Sequence, residues 1–383
     1  MFALQAVTPA ELAAALPEVS LAEARKVVAA VHRGEPVAAS SAVRRSAAQA
    51  VRAAGEVPGL EVVAETASAI DPFVKYLLAG PDGARFEAVR IPLEHPDRFT
   101  VCVSSQVGCA LACAFCATGR LGLERNLAAW EIVEQVRIVR GRLARGRVPA
   151  RGPLPAGRFR SLLRGGPEPI GSGRVHGVVF QGMGEPLANL DAVIQAVRVF
   201  SEPSAGAIDA RAITVCTAGL PSGIRRLAAE VPRVRLALSV SSAIAAHRKA
   251  VMPIALRHDF EDVIAAVADH ARATGSSPMW AVTLLAGIND GDGDARALAD
   301  RAITFHAQTG VRPRISLLDY NAIGDGDRFQ RSPRMPAFRD VLSAAGLPSH
   351  RRYSGGSDVA AACGQLANTA AAPGPTPLRS DVR

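Results

Sequence analysis

The chain has 383 residues, of which 49% are hydrophobic, enough for one large domain with a sizeable core and a smaller accessory domain. No uninterrupted apolar run approaches the ~20 residues that a membrane helix needs, which argues against a membrane protein. The first residues also lack the basic and then apolar pattern of a secretory signal. We therefore expect a monomeric cytoplasmic protein that does not associate with a membrane.

The chain is basic, with a formal net charge of +9. A charge of this size is compatible with a polyanionic partner such as RNA. However, only three of the 44 Lys and Arg residues are Lys, and GC-rich coding would produce the same bias whatever the function. Charge alone therefore leaves nucleic-acid binding open.

Residues 1–84 are rich in Ala and follow helical patterns, which predicts a small helical accessory domain. Thr8 followed by Pro9 has the form of a helix start, since Thr is a good N-cap and Pro is favoured at the first helical position. Two further short helices are predicted over 21–28 and 43–53. Because this segment contains no Cys, we expect it to contribute no chemistry of its own.

From about residue 86 the chain alternates short β-rich runs with helical stretches, which indicates parallel βαβ units. We count about six units, fewer than the eight of a complete barrel. The predicted fold class is α/β, a partial (β/α)6 barrel over residues 85–368 with a wide mouth that suits a bulky substrate. The predicted strands are 87–91, 99–104, 177–180, 212–217, 233–240, 280–285 and 314–318. The predicted helices are 130–140, 190–200, 223–230 and 260–274.

One segment, residues 141–174, interrupts this alternation and is rich in Gly, Pro and Arg. Ten Arg and a single acid, Glu168, lie between Arg137 and Arg174. Such a composition is typical of a disordered surface segment or of a flexible arm that contacts phosphates. We favour the arm, and we predict a disordered tail over residues 369–383.

Six Cys are present, and four of them lie between residues 102 and 116. In a long chain without a secretory signal, such crowding argues for metal or redox chemistry rather than a disulfide framework. Cys109, Cys113 and Cys116 have C-x3-C-x2-C spacing, and soft thiolates are the ligands of iron–sulfur clusters. Three thiolates leave one iron of a [4Fe–4S] cluster open for S-adenosylmethionine (SAM). The spacing therefore predicts a radical SAM enzyme.

A zinc site is the alternative interpretation of these thiols. Zinc sites usually contain paired C-x2-C motifs and four nitrogen or sulfur ligands. The chain has no second C-x2-C pair, and Cys102, seven residues before Cys109, fits no common zinc-finger spacing. We therefore prefer the cluster, to which an electron donor such as flavodoxin or ferredoxin would supply the electron that cleaves SAM to a 5′-deoxyadenosyl radical.

Further motifs lie in a fixed order around the cluster loop. They are CVSSQVGC at 102–109, RNL at 125–127, GMGEP at 182–186, GIND at 287–290 and DVAAACGQL at 358–366. In order and spacing these motifs resemble the RlmN/Cfr family of radical SAM RNA methyltransferases, over about residues 85–368. The resemblance implies methylation of an sp2 carbon, C2 or C8, of an adenine in ribosomal or transfer RNA.

The resemblance also implies a role for two thiols outside the cluster loop. Cys363 would accept a methyl group from one SAM, and a radical formed from a second SAM would abstract a hydrogen from that methyl group. The resulting carbon radical would add to adenine and crosslink the RNA to the protein. Cys102 would then attack the Cys363 sulfur and release the product, leaving a transient disulfide. Glu87 occupies the position of the family's proposed proton acceptor.

The same resemblance implies SAM contacts, including Glu185 as acceptor of the SAM amino group. The implied cofactor-binding residues are Gly184, Glu185, Cys216, Ser239, Val240, Ser241 and Asn289. Three places depart from the family pattern, because Ser241 replaces a His, Cys216 replaces a Ser, and Gly355 stands where a second Arg is usual. These departures fall on SAM-contacting or RNA-facing positions, so the chemistry is better determined than the substrate.

Two rival functions are compatible with parts of the sequence. A radical SAM enzyme that modifies a peptide or a small metabolite would be expected to have a further set of cluster-binding Cys, and none is visible. An inactive RNA-binding paralogue would be expected to lose catalytic thiols first, yet all five are present. Neither rival explains the sequence as well as an RNA methyltransferase.

Overall fold

The structure is a computed structural model that describes residues 1–95, 97–145, 173–324 and 326–368. Three helices at the start of the chain precede a large sheet. The Arg-rich arm that we predicted falls largely in 146–172, and the predicted tail in 369–383, so both lie outside the described residues. The N-terminal elements are β1 (Phe2–Ala3), α1 (Pro9–Ala15), α2 (Leu21–Arg33), α3 (Arg45–Ala54) and β2 (Gly55–Glu56).

Capping boxes begin the first two helices. The side chains of Thr8 and Ser20 each accept a hydrogen bond from the backbone N–H of the Glu three residues later, and that Glu accepts one from the cap N–H in return. The apolar faces of these helices pack into a small hydrophobic cluster that includes Leu12, Val28 and Val51 and is separate from the main core. This segment therefore has a core of its own.

The remaining strands begin earlier than the sequence indicated. They are β3 (Glu61–Ala67), β4 (Val74–Ala79), β5 (Arg85–Pro92), β6 (Arg98–Val103), β7 (Gln106–Gly108), β8 (Leu123–Asn126), β9 (Arg174–Phe180), β10 (Ile213–Thr217), β11 (Arg235–Ser239), β12 (Met279–Leu284), β13 (Arg314–Asp319) and β14 (Ser349–Arg352). The prediction of a helical segment up to residue 84 is wrong for β3 and β4. The exposed and half-buried residues of β3 alternate, and all six residues of β4 are buried, as expected of an edge strand and its inner neighbour.

Ten strands form one sheet in the order β14-β13-β12-β11-β10-β9-β6-β5-β4-β3. The pairs from β6 to β14 are parallel, and the pairs that join β3, β4, β5 and β6 are antiparallel. Strands β3 and β14 form the two edges, so the sheet is an open, partial barrel. The predicted α/β class is confirmed, and the antiparallel extension is the part that the alternation of strands and helices did not reveal.

Helices connect the successive parallel strands. They are α4 (Ala117–Arg120), α5 (Ala129–Ala144), α6 (Leu190–Ser201), α7 (Pro221–Glu230), α8 (Ala245–Val251), α9 (Phe260–Thr274), α10 (Asp292–Thr309) and α11 (Met335–Ala344). Such crossovers are right-handed and bring the carboxyl ends of the parallel strands to one edge of the sheet. The main core lies between sheet and helices, where the fully buried Trp280 contacts Phe305 edge-on at 5.2 Å.

Three Arg that we counted toward the predicted arm lie in α5 and contact the protein itself. Arg137 Nη2 donates to the Val31 carbonyl at 2.7 Å, and Arg142 pairs with Glu65 at 2.9 Å. Arg140 donates to the carbonyls of residues 205 and 206. These three side chains therefore join neighbouring elements of the fold and are not part of an RNA-binding arm. Within the described ranges, no helix is long and apolar enough to cross a membrane.

The corrected boundary predicts how truncated chains behave. A chain that begins at residue 58 keeps β3 and β4 and should melt cooperatively, because the helical N-terminal segment has a separate core. A chain that begins at residue 85 loses both strands, exposes β5 and should fail to fold. Circular dichroism during heating distinguishes the two, with the full chain as control. Equal cooperativity of the two truncated chains would contradict this arrangement.

Candidate active site

A cavity of about 220 Å³ lies where the parallel strands end. Its lining includes the last residues of β9, β10, β11 and β14 and a Cys near the end of β6. This edge is where barrel enzymes bind their ligands, since the loops that follow the strands converge there. Ten of the thirteen predicted site residues line the cavity, namely Cys102, Cys109, Cys113, Cys116, Gly184, Glu185, Cys216, Ser239, Ser241 and Cys363.

The three Cys of the predicted cluster lie in an irregular loop between β7 and α4. Small residues allow its path, because Ala112 has a left-handed backbone (φ 51°) and a Cβ on Gly108 would collide with the Gly122 carbonyl. The backbone N–H of Cys109 donates to that same carbonyl at 2.7 Å. The loop therefore turns all three thiols toward the cavity without regular secondary structure.

The three loop thiols are the type of donor that a [4Fe–4S] cluster takes. In the part of the chain that the structure describes, no three His, Cys, Asp or Glu side chains lie close enough together to hold one metal ion. A zinc site needs all its ligands within ~2.3 Å of one ion. A [4Fe–4S] cluster spreads its thiolate ligands over different irons, so the three sulfurs need not converge on one point. The donor set, three soft thiols in a largely dry cavity, suits such a cluster.

Burial changes the acidity of these three thiols. It raises the pKa of Cys109 to about 11 and raises the pKa of Cys113 and of Cys116 above the usual thiol range. Because the thiolate is the form that binds metal, iron must displace these protons when a cluster assembles. The three side chains are therefore neutral in the metal-free protein.

The GMGEP motif follows β9 and places a carboxylate in the cavity. Gly184 has a φ of 94°, and a Cβ there would lie 2.5 Å from the Gln106 side chain, so glycine is required. Glu185 Oε1 accepts from the Leu187 N–H at 3.0 Å, and Oε2 accepts from the Ala218 N–H at 2.9 Å. Burial raises the pKa of Glu185. These two hydrogen bonds fix the orientation of the carboxylate. It can accept a further hydrogen bond from the amino group of a bound ligand.

The SVSS segment at the end of β11 has two residues that line the cavity and two, Val240 and Ser242, that do not. Ser239 and Ser241 line it, and Ser241 has a left-handed backbone with a φ of 55°. Val240 is fully buried and does not line the cavity. Its backbone N–H donates to the Ala281 carbonyl at 2.9 Å. The structure therefore does not bring the Val240 side chain to the predicted cofactor site.

A buried arginine that the sequence motifs did not reveal fixes these strand ends. Arg248 is 1% exposed and donates to the carbonyls of Ser239 (2.8 Å), Val240 and Ala218 (2.6 Å). Its guanidinium also lies over the Phe260 ring, 4.9 Å from the centroid. Burial lowers the pKa of Arg248 to about 10, so it stays charged at neutral pH. No signal in the sequence pointed to this residue.

Asn289, predicted to contact SAM, does not line the cavity. Its amide nitrogen donates to the carbonyls of Ser241 (2.6 Å) and Thr283 (2.9 Å), and its oxygen accepts from the Leu285 N–H at 2.7 Å. With 1% exposure, the side chain is committed to the backbone. This geometry favours a role in holding Ser241 in its left-handed conformation rather than direct contact with a cofactor.

Glu87, predicted as the proton acceptor, is fully buried and does not line the cavity either. Its carboxylate pairs with Lys75 at 2.9 Å and accepts from the Ala367 N–H at 2.9 Å. Burial raises the pKa of Glu87, and the charge of Lys75 acts in the opposite direction. Glu87 therefore fixes the segment that follows Cys363, and its role as a base stays a prediction.

Three thiols outside the cluster loop surround one guanidinium. Arg352 Nη2 lies 3.8 Å from the Cys363 sulfur. Burial lowers the pKa of Arg352, but the neighbouring Cys363, Cys216 and Cys102 give a net increase. Burial raises the pKa of Cys216 to about 12, and burial also raises the pKa of Cys102. All six Cys are free thiols in the structure, so the predicted disulfide between Cys102 and Cys363 is not formed here.

The loop that carries Cys363 is held by carboxylates near the antiparallel strands. Asp71 accepts from the Tyr353 hydroxyl and from the Gly356 N–H, both at 2.8 Å. Asp358, in the loop, accepts from the Ser68 hydroxyl at 2.7 Å. A Cβ on the neighbouring residue 355 would lie 2.4 Å from Phe73, which explains why glycine rather than arginine stands there. This departure from the family pattern is therefore a packing requirement.

Known proteins are similar to this one in sequence and fold along nearly the whole chain. A crystal structure of a radical SAM methyltransferase from Sphaerobacter thermophilus superimposes with a TM-score of 0.78 at 32% identity, over 96% of this chain and 100% of that one. A probable RNA methyltransferase of Sorangium cellulosum is 57% identical over 95% of this chain and 91% of its own length. The chain belongs to the RlmN/Cfr family of radical SAM methyltransferases. No protein-family model matches it.

Another relative carries the family name itself. A probable dual-specificity RNA methyltransferase RlmN of Moorella thermoacetica is 35% identical over 87% of each chain. As a member of the RlmN/Cfr family, this protein is a methyltransferase with a partial radical SAM barrel, and the family implies a [4Fe–4S] cluster and SAM as cofactors. The cavity with its three-Cys loop is the part of the fold that suits them.

Substitution of Asn289 tests its assignment. Asn289→Asp replaces the amide nitrogen, which donates to two carbonyls, with an oxygen that can only accept. The Asp variant should therefore have a lower melting temperature than Asn289→Ala. We expect its free energy of unfolding to be about 1–3 kcal/mol smaller than that of the Ala variant. Differential scanning calorimetry measures this order. If Asn289 instead acted through SAM alone, both variants would melt like the wild type and would differ only in SAM affinity.

Proposed function

We propose that this enzyme methylates an sp2 carbon, C2 or C8, of an adenine in RNA through an S-methyl intermediate on Cys363. The relatives named as RNA methyltransferases support RNA as the substrate. The observation that carries the proposal is that Cys363 and Cys102 share one cavity with the three Cys of the cluster loop.

Each group in the cavity has a separate task in this proposal. Cys109, Cys113 and Cys116 would hold the [4Fe–4S] cluster, which together with SAM supplies a 5′-deoxyadenosyl radical when bound. Glu185 would receive an amino group of SAM, and Ser239 and Ser241 would contact the rest of that molecule from the end of β11. The buried walls keep water away from reactive carbon species.

Cys363 acts as nucleophile and methyl carrier. As a thiolate it attacks a methyl group, with Arg352 as the neighbouring cation that stabilises the negative charge on sulfur. The 5′-deoxyadenosyl radical would take one hydrogen atom from the S-methyl group, and the resulting carbon radical would bond to adenine. The adduct radical would then lose the ring proton and one electron, which the oxidised cluster would take back, so that an adenine–CH2–S thioether remains. Attack of the Cys102 thiolate on the Cys363 sulfur would break the carbon–sulfur bond, and the released carbon would take up a proton as the methylated base leaves. The resulting disulfide needs a two-electron reductant before the next turnover.

We further propose ribosomal or transfer RNA as the target, with large-subunit ribosomal RNA as the first choice. An acidic electron carrier such as flavodoxin or ferredoxin would reduce the cluster, and the enzyme would act as a monomer in the cytoplasm. The departures at Cys216 and Ser241 spare the two catalytic thiols, so we expect them to affect substrate and cofactor contacts rather than the reaction type, whereas Gly355 is explained by packing against Phe73.

The methyl intermediate can be observed directly on the protein. After incubation with SAM, the wild type should gain the mass of one CH2 group on the peptide that contains Cys363, and Cys363→Ala should not. Mass spectrometry of digested protein gives this result, and the iron content of both proteins shows that they carry equal amounts of cluster. A loaded wild type that never acquires the methyl group would refute the intermediate.

Loss of the second thiol should stop the reaction one step later. Cys102→Ala should accumulate RNA covalently bound to Cys363, since the carbon–sulfur bond can no longer be broken by disulfide formation. Denaturing gel electrophoresis detects the crosslink, and sequencing of the attached RNA identifies the substrate. The double variant Cys102→Ala/Cys363→Ala is the matched control and should show no crosslink. Release of methylated RNA by Cys102→Ala would rule out Cys102 as the resolving thiol.

A further inference from the structure

A second cavity, of about 420 Å³, adjoins the first. The two share Phe73, Ile91, Arg352 and Tyr353, so a ligand can extend from one into the other. We call the second cavity the basic opening. Its remaining lining comes from the end of β5, the loop that follows it, and the first residues of β6 and β9, namely Pro92, Leu93, Glu94, His95, Arg98 and His176.

The charge of the basic opening suits an anion. Arg98 and Arg352, together with two His, face a single carboxylate, that of Glu94. Arg98 and His176 are exposed and lie on the paired strands β6 and β9, where Arg98 is also the register partner of the exposed Arg174. Guanidinium groups bind phosphate oxygens through charge-assisted hydrogen bonds. The opening can therefore hold a phosphate at the end farther from the thiols.

Strand β6 connects the opening to the thiols. Arg98 and Cys102 are four residues apart on β6, so their side chains share a face of the strand. At ~3.3 Å per residue they are separated by ~13 Å along it. Tyr353 lies between the two cavities, 37% exposed and edge-on to Phe73 at 6.1 Å.

We propose that the RNA strand enters the active cavity through the basic opening, with a phosphate that flanks the target adenosine bound by Arg98 and His176. Tyr353 offers a ring on which a neighbouring base can stack, as aromatic side chains do in single-stranded RNA recognition. The proposal rests on the proposed methylation of RNA and adds the side of the barrel from which the RNA arrives. It assigns Arg98 and His176 to substrate binding and not to chemistry.

Charge reversal at Arg98 tests the proposal. Arg98→Glu should weaken binding of a fluorescent, adenosine-containing single-stranded RNA oligonucleotide by about tenfold or more, since a charge-assisted hydrogen bond becomes a repulsion. Arg98→Ala should reduce the slope of log affinity against log salt by about 0.7 for each phosphate that the protein no longer neutralises. Fluorescence anisotropy with cluster-loaded protein measures both. His176→Ala should weaken binding in the same direction.

The matched control is Arg296→Glu, which reverses the charge of another exposed arginine, on α10. It should bind the oligonucleotide like the wild type. Equal losses for Arg98→Glu and Arg296→Glu, or wild-type affinity of Arg98→Glu, would overturn the assignment of the opening.

The methyl group on Cys363 separates this proposal from the proposed function. Its formation needs SAM but no RNA, so Arg98→Glu should still acquire it while its KM for RNA rises. If the group forms and RNA affinity does not change, the basic opening is wrongly assigned and the methyl shuttle stands. If the wild type never acquires the group but Arg98→Glu still loses RNA affinity, the shuttle fails and the opening stands.

Discussion

Burial of the Cys sulfurs away from water is the constraint on which this active site depends. All six thiols line one cavity, and burial raises the pKa of Cys102, Cys109, Cys113, Cys116 and Cys216. In such surroundings a thiolate exists only where a positive charge compensates for the lost hydration. The loop thiols would obtain that charge from iron, and Cys363 has Arg352 beside it. Burial, which would also protect a radical from water, thus restricts negative charge to the sulfurs that have a positive charge beside them.

The strand ends that form the cavity are held by polar side chains that never reach it. Arg248 and Asn289 bond to backbone carbonyls in or just after the last residues of β10, β11 and β12. Asn189 likewise donates to the carbonyls of Ser105 and Leu127, on either side of the cluster loop. Irregular loops at a barrel mouth leave backbone groups unpaired, and buried side chains must satisfy them. Buried side chains behind the cavity therefore satisfy the backbone carbonyls that the open edge of the barrel leaves unpaired.

The sequence was most informative where spacing itself defines the chemistry. Three Cys at fixed intervals limit the possible ligands severely, and the structure gathers them with Cys102 and Cys363. A motif shows that a position is special but not what its side chain contacts. Asn289 was predicted to contact SAM and Glu87 to accept a proton, and the structure adds that both side chains bond to the protein itself. Arg248 belongs to no motif and could not be found without coordinates. Strands β3 and β4 were missed because the Ala-rich composition before them suggested a continuous helical segment.

The contacts around Cys363 also determine when the active site becomes complete. Asp358 bonds to Ser68 and Ala367 to Glu87, across separations of 290 and 280 residues. Contacts so distant in sequence form late, and during synthesis the amino-terminal parts fold first. Cys363 is therefore the last thiol of the cavity to take its place, after the sheet and the cluster loop. A prematurely terminated chain that forms the cluster loop would still lack the thiol on which the proposed covalent adduct with RNA depends.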